Sequence, residues 1–268
     1  TNARSRSVRV CGPTGGGGGA VGRGDGTVLA DAANGATRAG SAFALGARAA
    51  AGAYEYLLVR GGATNGESWF LRTNLPLTAT GTPEPPPAPA PPDGAPRSVA
   101  PTVLLPNYRV EVPLDMSVPV LANRLGIAML GTYHDRAGED NVAATSEGPR
   151  HMGAWGRVFG GSGEARNGSA STNPDRLDDF TRNGPSYDYN EAGVQTGIDL
   201  LRGVDASGQS DVAGAYIAMG HIDSNVDAVY GGSAGTASMY GYSLGGYWTR
   251  KGASGWYVDG VLQGTRYD

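Results

Sequence analysis

Apolar and polar positions alternate with a period of two over most of the stretch after His151, which predicts strands with unlike faces. The first begins around Trp155-Gly156-Arg157-Val158-Phe159. In the second, Ala192, Val194, Thr196, Ile198 and Leu200 alternate with Gly193, Gln195, Gly197 and Asp199. The third runs near Asp211 to His221, with Ala213, Ala215, Ile217 and Met219 on one side. The fourth sets Tyr240, Tyr242, Leu244 and Trp248 against Gly241, Ser243, Gly245 and Thr249. In the fifth, Trp256, Val258 and Leu262 oppose Tyr257, Asp259, Gln263 and Thr265. Before these strands the period is helical. Ser117 can cap a helix, Pro119 fits its first turn, and Leu121, Leu125, Ala128 and Thr132 share a face. The expected span is 117–136, roughly 20 residues and about 30 Å long. Its other face carries Asn123, Arg124 and His134.

The connections between strands add a second signal. Those at 161–186 and 223–236 read as long and polar, and those at 202–208 and 251–255 as short. Such alternation suits a transmembrane β-barrel, with long loops on one side and tight turns on the other. A soluble β-sandwich gives the same period of two and is the competing fold. In a barrel, Trp155, Trp248 and Trp256 would sit in interface girdles, and Asp199, Asp211, Asp259 and Arg157 would face the lumen. The chain stops at Tyr267-Asp268 in mid-pattern, so further strands are expected beyond it.

Upstream, Tyr54, Tyr56 and Leu58, then Trp69, Phe70 and Leu71, form two strand-like runs separated by Arg60-Gly61-Gly62 and Asn65-Gly66. Asn-Gly accepts positive φ and signals a hairpin. Residues 81–101 hold Pro83, Pro85 to Pro87, Pro89, Pro91, Pro92, Pro96 and Pro101, which predicts an extended spacer without helix or strand. Residues 1–40 show neither period and read as a flexible glycine-rich segment.

Composition narrows the possibilities. Glycine at 45 and proline at 17 of 268 residues border on low complexity, and a net charge of −4 offers no basic field for nucleic acid. No apolar run is long enough for a transmembrane helix, which leaves two ways to be membrane-bound, a surface helix or a β-barrel. Cys11 is the one cysteine, and His134, His151 and His221 lack spacing partners, so no metal or cofactor is expected. With no Met and no leader at Thr1-Asn2-Ala3-Arg4, the start reads as a cut within a longer protein.

Three short motifs look like chemistry and are read as chance. Gly231-Gly232-Ser233-Ala234-Gly235 has the spelling of a nucleophile elbow, but strands rather than a strand and a helix flank it. Gly17-Gly18-Gly19-Ala20-Val21-Gly22 matches a dinucleotide fingerprint only through its glycine run. Arg23-Gly24-Asp25 is the tripeptide that integrins recognise, here in a glycine-rich context. No catalytic residue is assigned. A surface hydrolase built on Ser233 stands as a further alternative.

Several runs resemble the pertactin-like autotransporters of type V secretion. Gly52-Ala53-Tyr54-Glu55-Tyr56-Leu57-Leu58 with Trp69-Phe70-Leu71-Arg72 is similar to the end of the family's β-helical passenger. Tyr108-Arg109-Val110-Glu111-Val112-Pro113 resembles the lead-in, and Leu125-Gly126 through Leu130-Gly131-Thr132-Tyr133-His134-Asp135-Arg136 with Gly138-Glu139 resembles the helix before the barrel. Ala154-Trp155-Gly156-Arg157 is similar to the opening strand, and Gly255-Trp256-Tyr257-Val258-Asp259 with Val261-Leu262-Gln263 to a later one. The resemblance implies an all-β fold: an antiparallel outer-membrane barrel of 12 strands, about five of them present, with the helix in its lumen. It implies a unit in the outer membrane of a Gram-negative bacterium that assists export of its own N-terminal passenger, without being an enzyme. Outer-membrane lipid, the passenger and the barrel-assembly machinery are the implied partners, with a host-surface ligand possible; a soluble β-rich adhesin or binding module is the alternative. The expected divisions are 1–40 glycine-rich, 41–78 passenger end, 79–107 linker, 108–150 linker and pore helix, and 151–268 barrel. Self-cleaving members use an asparagine beside the helix; Asn141 is nearby, but its neighbours match no processing motif, so no cleavage residue is carried over.

Overall fold

A computed structural model describes residues 6–8, 26–31, 43–61, 66–77, 103–137, 153–167 and 180–268. Cys11, the two glycine-rich motifs of the N-terminal segment, the prolines of 81–101, Asn141 and His151 lie outside the described residues. The chain forms two compact units, one of Thr1–Val112 with 170–178, the other of Pro113–Ser169 with Asp179–Asp268.

The first unit is built from short strands: β1 (Arg6–Val8), β2 (Thr27–Ala30), β3 (Phe43–Leu45), β4 (Ala49–Ala51), β5 (Tyr54–Arg60), β6 (Trp69–Arg72), β7 (Asn74–Leu77) and β8 (Val103–Pro106). β1 and β2 fall in the segment expected to lack regular structure. β-branched Thr27 and Val28 allow β2 to pair with Leu71 and Phe70 at the edge of a four-stranded sheet ordered β2-β6-β5-β4. The β5–β6 hairpin forms as expected, turning at Gly61 (φ 90°), whose N–H donates to the Ser68 carbonyl. Trp69, Phe70 and Leu71 are all buried, so β6 is covered on both faces. Apart from β1 with β3, these pairs are antiparallel.

β7 pairs antiparallel with β8 from Asn74↔Pro106 to Leu77↔Val103. The proline-rich stretch between them therefore leaves and re-enters the fold at adjacent points. The stretch itself, expected to be an extended spacer without helix or strand, lies outside the described residues.

The second unit begins at the second residue of α1 (Val112–Leu130) and continues with α2 (Tyr133–Ala137). One helix over 117–136 was expected. Instead α1 starts earlier, and Ser117 is buried inside it, its hydroxyl donating back to the Leu114 carbonyl at 2.8 Å rather than capping. Gly131 (φ 64°) ends α1, and Thr132 starts α2 in exchange with Asp135. The Thr132 N–H reaches Asp135 Oδ2 at 2.7 Å, and the Asp135 N–H reaches Thr132 Oγ1 at 3.3 Å.

Five strands follow: β9 (Ala154–Ala165), β10 (Tyr187–Val204), β11 (Ser210–Asp227), β12 (Ser233–Lys251) and β13 (Tyr257–Tyr267). They form one antiparallel sheet in the order β13-β12-β11-β10-β9, every neighbour in sequence being a neighbour in space. The expected long loop at 223–236 is corrected. β11 runs on to Asp227 and β12 begins at Ser233, so only 228–232 connect them. Polar Asp223 and Asn225 alternate there with buried Ile222, Ser224 and Val226, so the period of two continues with a polar outer side. Gly231 and Gly232, both at positive φ, make the turn.

Candidate functional site: a helix seated on one face of a membrane wall

The strand alternation sorts side chains onto two faces. Val158, Val194, Ile198, Ile217, Leu244 and Leu262 point away from the helix and are exposed, Val158 and Leu262 at 82%. Register places Val158 opposite Val194 and Ile217 opposite Leu244, so these side chains form a continuous apolar surface. That much contiguous exposed apolar area is unusual on a protein bathed in water and normal on one bathed in lipid. Trp248 and Trp256 are exposed, in keeping with interface positions.

The other face carries α1. Leu121, Leu125 and Met129, one helical turn apart, pack with Ala218 and Ile222, ringed by Phe159, Tyr187, Tyr189, Ala237, Met239 and Tyr267. The helix sits close because glycines lie beneath it. A Cβ at Gly220 would come within 2.8 Å of Leu125 Cδ1, and one at Gly241 within 2.7 Å of Met129 Cε. The expected buried position Ala128 is replaced by Met129, since the seam follows i, i+4 steps from Leu121.

Polar groups then pin the helix backbone. Tyr267 donates to the Ala122 carbonyl at 2.6 Å, Gln263 Nε2 to Gly126 at 3.0 Å, and the Arg157 guanidinium to Ala128 at 2.7 Å. Arg157 thus places a cation at a helix C-terminus, where carbonyls lack intrahelical donors. Its Nε bonds Gln195 Oε1. Arg124, expected on the helix face opposite Leu121 and Leu125, reaches Glu191 at 3.1 Å and lies 3.7 Å over the Tyr189 ring.

A second polar cluster surrounds α2. Trp155 Nε1–H donates to the Tyr247 hydroxyl at 2.8 Å, and that hydroxyl donates to Asp199 Oδ1 at 2.5 Å. Arg202 holds the other oxygen of Asp199 at 2.8 Å. Arg136 pairs with Asp259, which also accepts from Thr249 at 2.6 Å. These groups border a cavity of about 210 Å³ lined in part by Tyr133, Arg136, Asp199 and Lys251. Asp199, Asp259 and Arg157 therefore face the helix as expected. Asp211 does not: it lies beside Trp248 Nε1 (3.1 Å) and Arg250 (3.6 Å), away from the helix. Trp155 is also corrected, since it points toward the helix side rather than into a girdle.

Sequence reasoning missed a recurrent packing device on this face. Phe159 lies opposite Gly193, Trp155 opposite Gly197, Tyr216 opposite Gly245 and Tyr247 opposite Gly214. In each pair a Cβ on the glycine would collide with the ring. The signal was present as glycine and aromatic positions in neighbouring strands, but it appears only once register is known.

The remaining motifs have ordinary roles. Ser233 opens β12, and its Oγ accepts from the Gly235 N–H at 3.1 Å. His221 contacts Ser238 at 3.0 Å, and its ring lies 4.3 Å from that of Tyr240. Among the described residues no cluster of three metal-ligating side chains occurs, and no helix is long and apolar enough to cross a membrane. In the turn after β10, Asp205 is held below the ordinary aspartate value by the Ser207 hydroxyl, then by the backbone N–H groups of Gln209 and Ser207 and the charge of Arg250.

An antiparallel meander, apolar outside and holding a helix inside, defines a section of a transmembrane β-barrel wall. Comparison with known proteins gives the class its name: residues 154–268 match the autotransporter beta-domain family. The adhesin BmaC autotransporter of Brucella suis biovar 1 (strain 1330) is 29% identical over 222 residues, covering 81% of this chain and 6% of that protein. No solved structure gives a significant match. Residues 154–268 are thus an autotransporter beta-domain, all-β and packed on the helix that precedes it. Its setting is the outer membrane of a Gram-negative bacterium.

Proposed function

We propose that this chain is the translocator end of an autotransporter, which anchors in the outer membrane and assists export of its own N-terminal passenger. The observation that carries the reading is the division of one sheet into a lipid-suited face and a face built around α1. The role is non-enzymatic: the helix-side polar groups bond backbone carbonyls and one another, and the Ser233 hydroxyl is engaged in its own turn. β9 and β13 form the two edges of the sheet, and further strands pairing there would continue the wall. Insertion of such a wall by the barrel-assembly machinery follows from the same reading.

The passenger is proposed to act in adhesion, because the curated relative is named an adhesin. Its target would be a host-surface ligand. The chain spans a small fraction of that relative, so the activity rests on the shared region alone.

The test is fractionation of the full-length protein in its host. The protein is expected in the outer membrane, released by detergent and not by alkaline carbonate, with the passenger open to protease added to intact cells. Carbonate release would favour a soluble sandwich, and labelling of Ser233 by a fluorophosphonate would favour a hydrolase.

A further inference from the structure

The first unit holds an internal joint whose two sides are far apart in sequence. The segment 103–111, which leads directly into α1, is stitched to strands that precede the proline-rich stretch. β8 pairs with β7 along its whole length. Beyond β8, the Asn107 N–H donates to the Thr73 carbonyl at 2.6 Å, the Glu55 N–H to Asn107 at 2.8 Å, and the Arg109 N–H to Ala53 at 2.9 Å. Side chains add to the backbone ladder. The Asn107 amide donates to the Glu55 carbonyl at 2.9 Å, and Arg109 reaches the Gly52 carbonyl at 3.2 Å. Tyr108 stacks on Tyr54 with centroids 5.2 Å apart, and burial pushes its phenol up to about 12. Arg48 completes the joint by gripping both oxygens of Glu111 while its Nε holds Glu55 at 2.8 Å.

We infer that this joint is a non-covalent clamp that keeps the passenger end attached to the segment leading into α1 when the proline-rich connection is cut. The inference rests on the proposed passenger and translocator reading. The covalent path between the two sides runs out through Leu77 and back through Val103, whereas the clamp joins them directly. A lone two-stranded ladder is marginal in water, so β7 with β8 would not suffice alone. The stitches to β4–β5, the tyrosine stack and the two-pronged Arg48–Glu111 pair supply the rest. A planar guanidinium on a carboxylate is the strong form of such a pair. While the chain is intact, the clamp closes at the high effective concentration of an intramolecular contact. Once the chain is cut, the rate of separation governs attachment.

The test introduces a site for a specific protease between residues 78 and 102 of the full-length protein displayed on cells. Surface labelling before cutting is scored separately and tests the export reading alone. After cutting, the clamp predicts that the passenger sediments with the cells and is stripped by urea or heat. Arg48→Glu should separate about tenfold faster after cutting, with display of the uncut chain unchanged. Tyr108→Ala, which leaves the main-chain bonds in place, gives a second reading if Arg48→Glu impairs display, and should also hasten separation. Passenger in the supernatant as soon as the connection is cut would overturn the inference, as would retention unchanged in both variants.

Discussion

Tyr267, in the last strand, donates its phenolic hydrogen bond to the Ala122 carbonyl of α1, and its oxygen occupies the space over Gly126. A Cβ on Gly126 would stand 2.6 Å from that oxygen, so the glycine is there for clearance despite weakening the helix. Gly126→Ala would gain about 1 kcal/mol of helix propensity in an isolated peptide. Here it should instead destabilise the barrel by about 1–3 kcal/mol through overpacking, and Tyr267→Phe should restore part of the loss. Thermal unfolding of the full-length protein in detergent, read by the heat-sensitive mobility of a folded barrel, checks both.

The ring slots predict a difference between glycines of neighbouring strands. Gly245→Val would drive its side chain into the Tyr216 ring, whereas Gly264, with nothing near its Cβ position, should accept valine. The first change should lower the unfolding midpoint clearly, by the equivalent of about 1–3 kcal/mol. The second should leave it within about 0.5 kcal/mol of the parent. Equal effects at the two sites would remove the slots from the account.

Acid should loosen the clamp in a defined window. Arg48, followed by Glu111's own backbone N–H, holds the Glu111 carboxyl at about 2, below its ordinary 4.5. A carboxyl depressed on folding contributes its stabilisation in full above the ordinary value and loses it as pH falls through the depressed one. Attachment of a cut passenger should therefore be flat from neutrality down to pH 4.5 and weaken between 4.5 and about 2. Glu111→Gln should abolish that step, as followed by the fraction retained on cells across the pH range.

The strand order and the choice of outward face were legible because lipid and helix demand opposite side chains at alternate positions. Val194, Ile217, Leu244 and Leu262 announced the lipid side, and Gln195, Asp199 and Gln263 the side facing α1. The third connection was misread because Asp223 and Asn225 are polar on the outer face beyond the apolar belt, where polarity does not mean loop. The helix start was misplaced because Ser117 has a capper's chemistry but a buried position that satisfies it locally. Trp155 was assigned to lipid because tryptophan favours interfaces, and only register reveals Gly197 opposite its ring. The proline-rich stretch hid the most: local stiffness is written in its prolines, but the pairing of Leu77 with Val103 is a long-range property.

The central claim is the two-sidedness of residues 154–268 in a membrane. Cys11 is the one cysteine of these 268 residues; with it and any cysteine elsewhere in the full-length protein replaced, one cysteine at a time is placed at Ile217, Ala218, Ser243 or Leu244. Each variant is labelled with an environment-sensitive fluorophore and reconstituted into vesicles whose acyl chains carry bromine, a contact quencher. Quenching is expected at 217 and 244 and not at 218 and 243, following the strand alternation and the partner pairs Ile217↔Leu244 and Ala218↔Ser243. Quenching at 218 and 243 instead, or at none of the four, would contradict the assignment of this sheet to the wall of a membrane barrel.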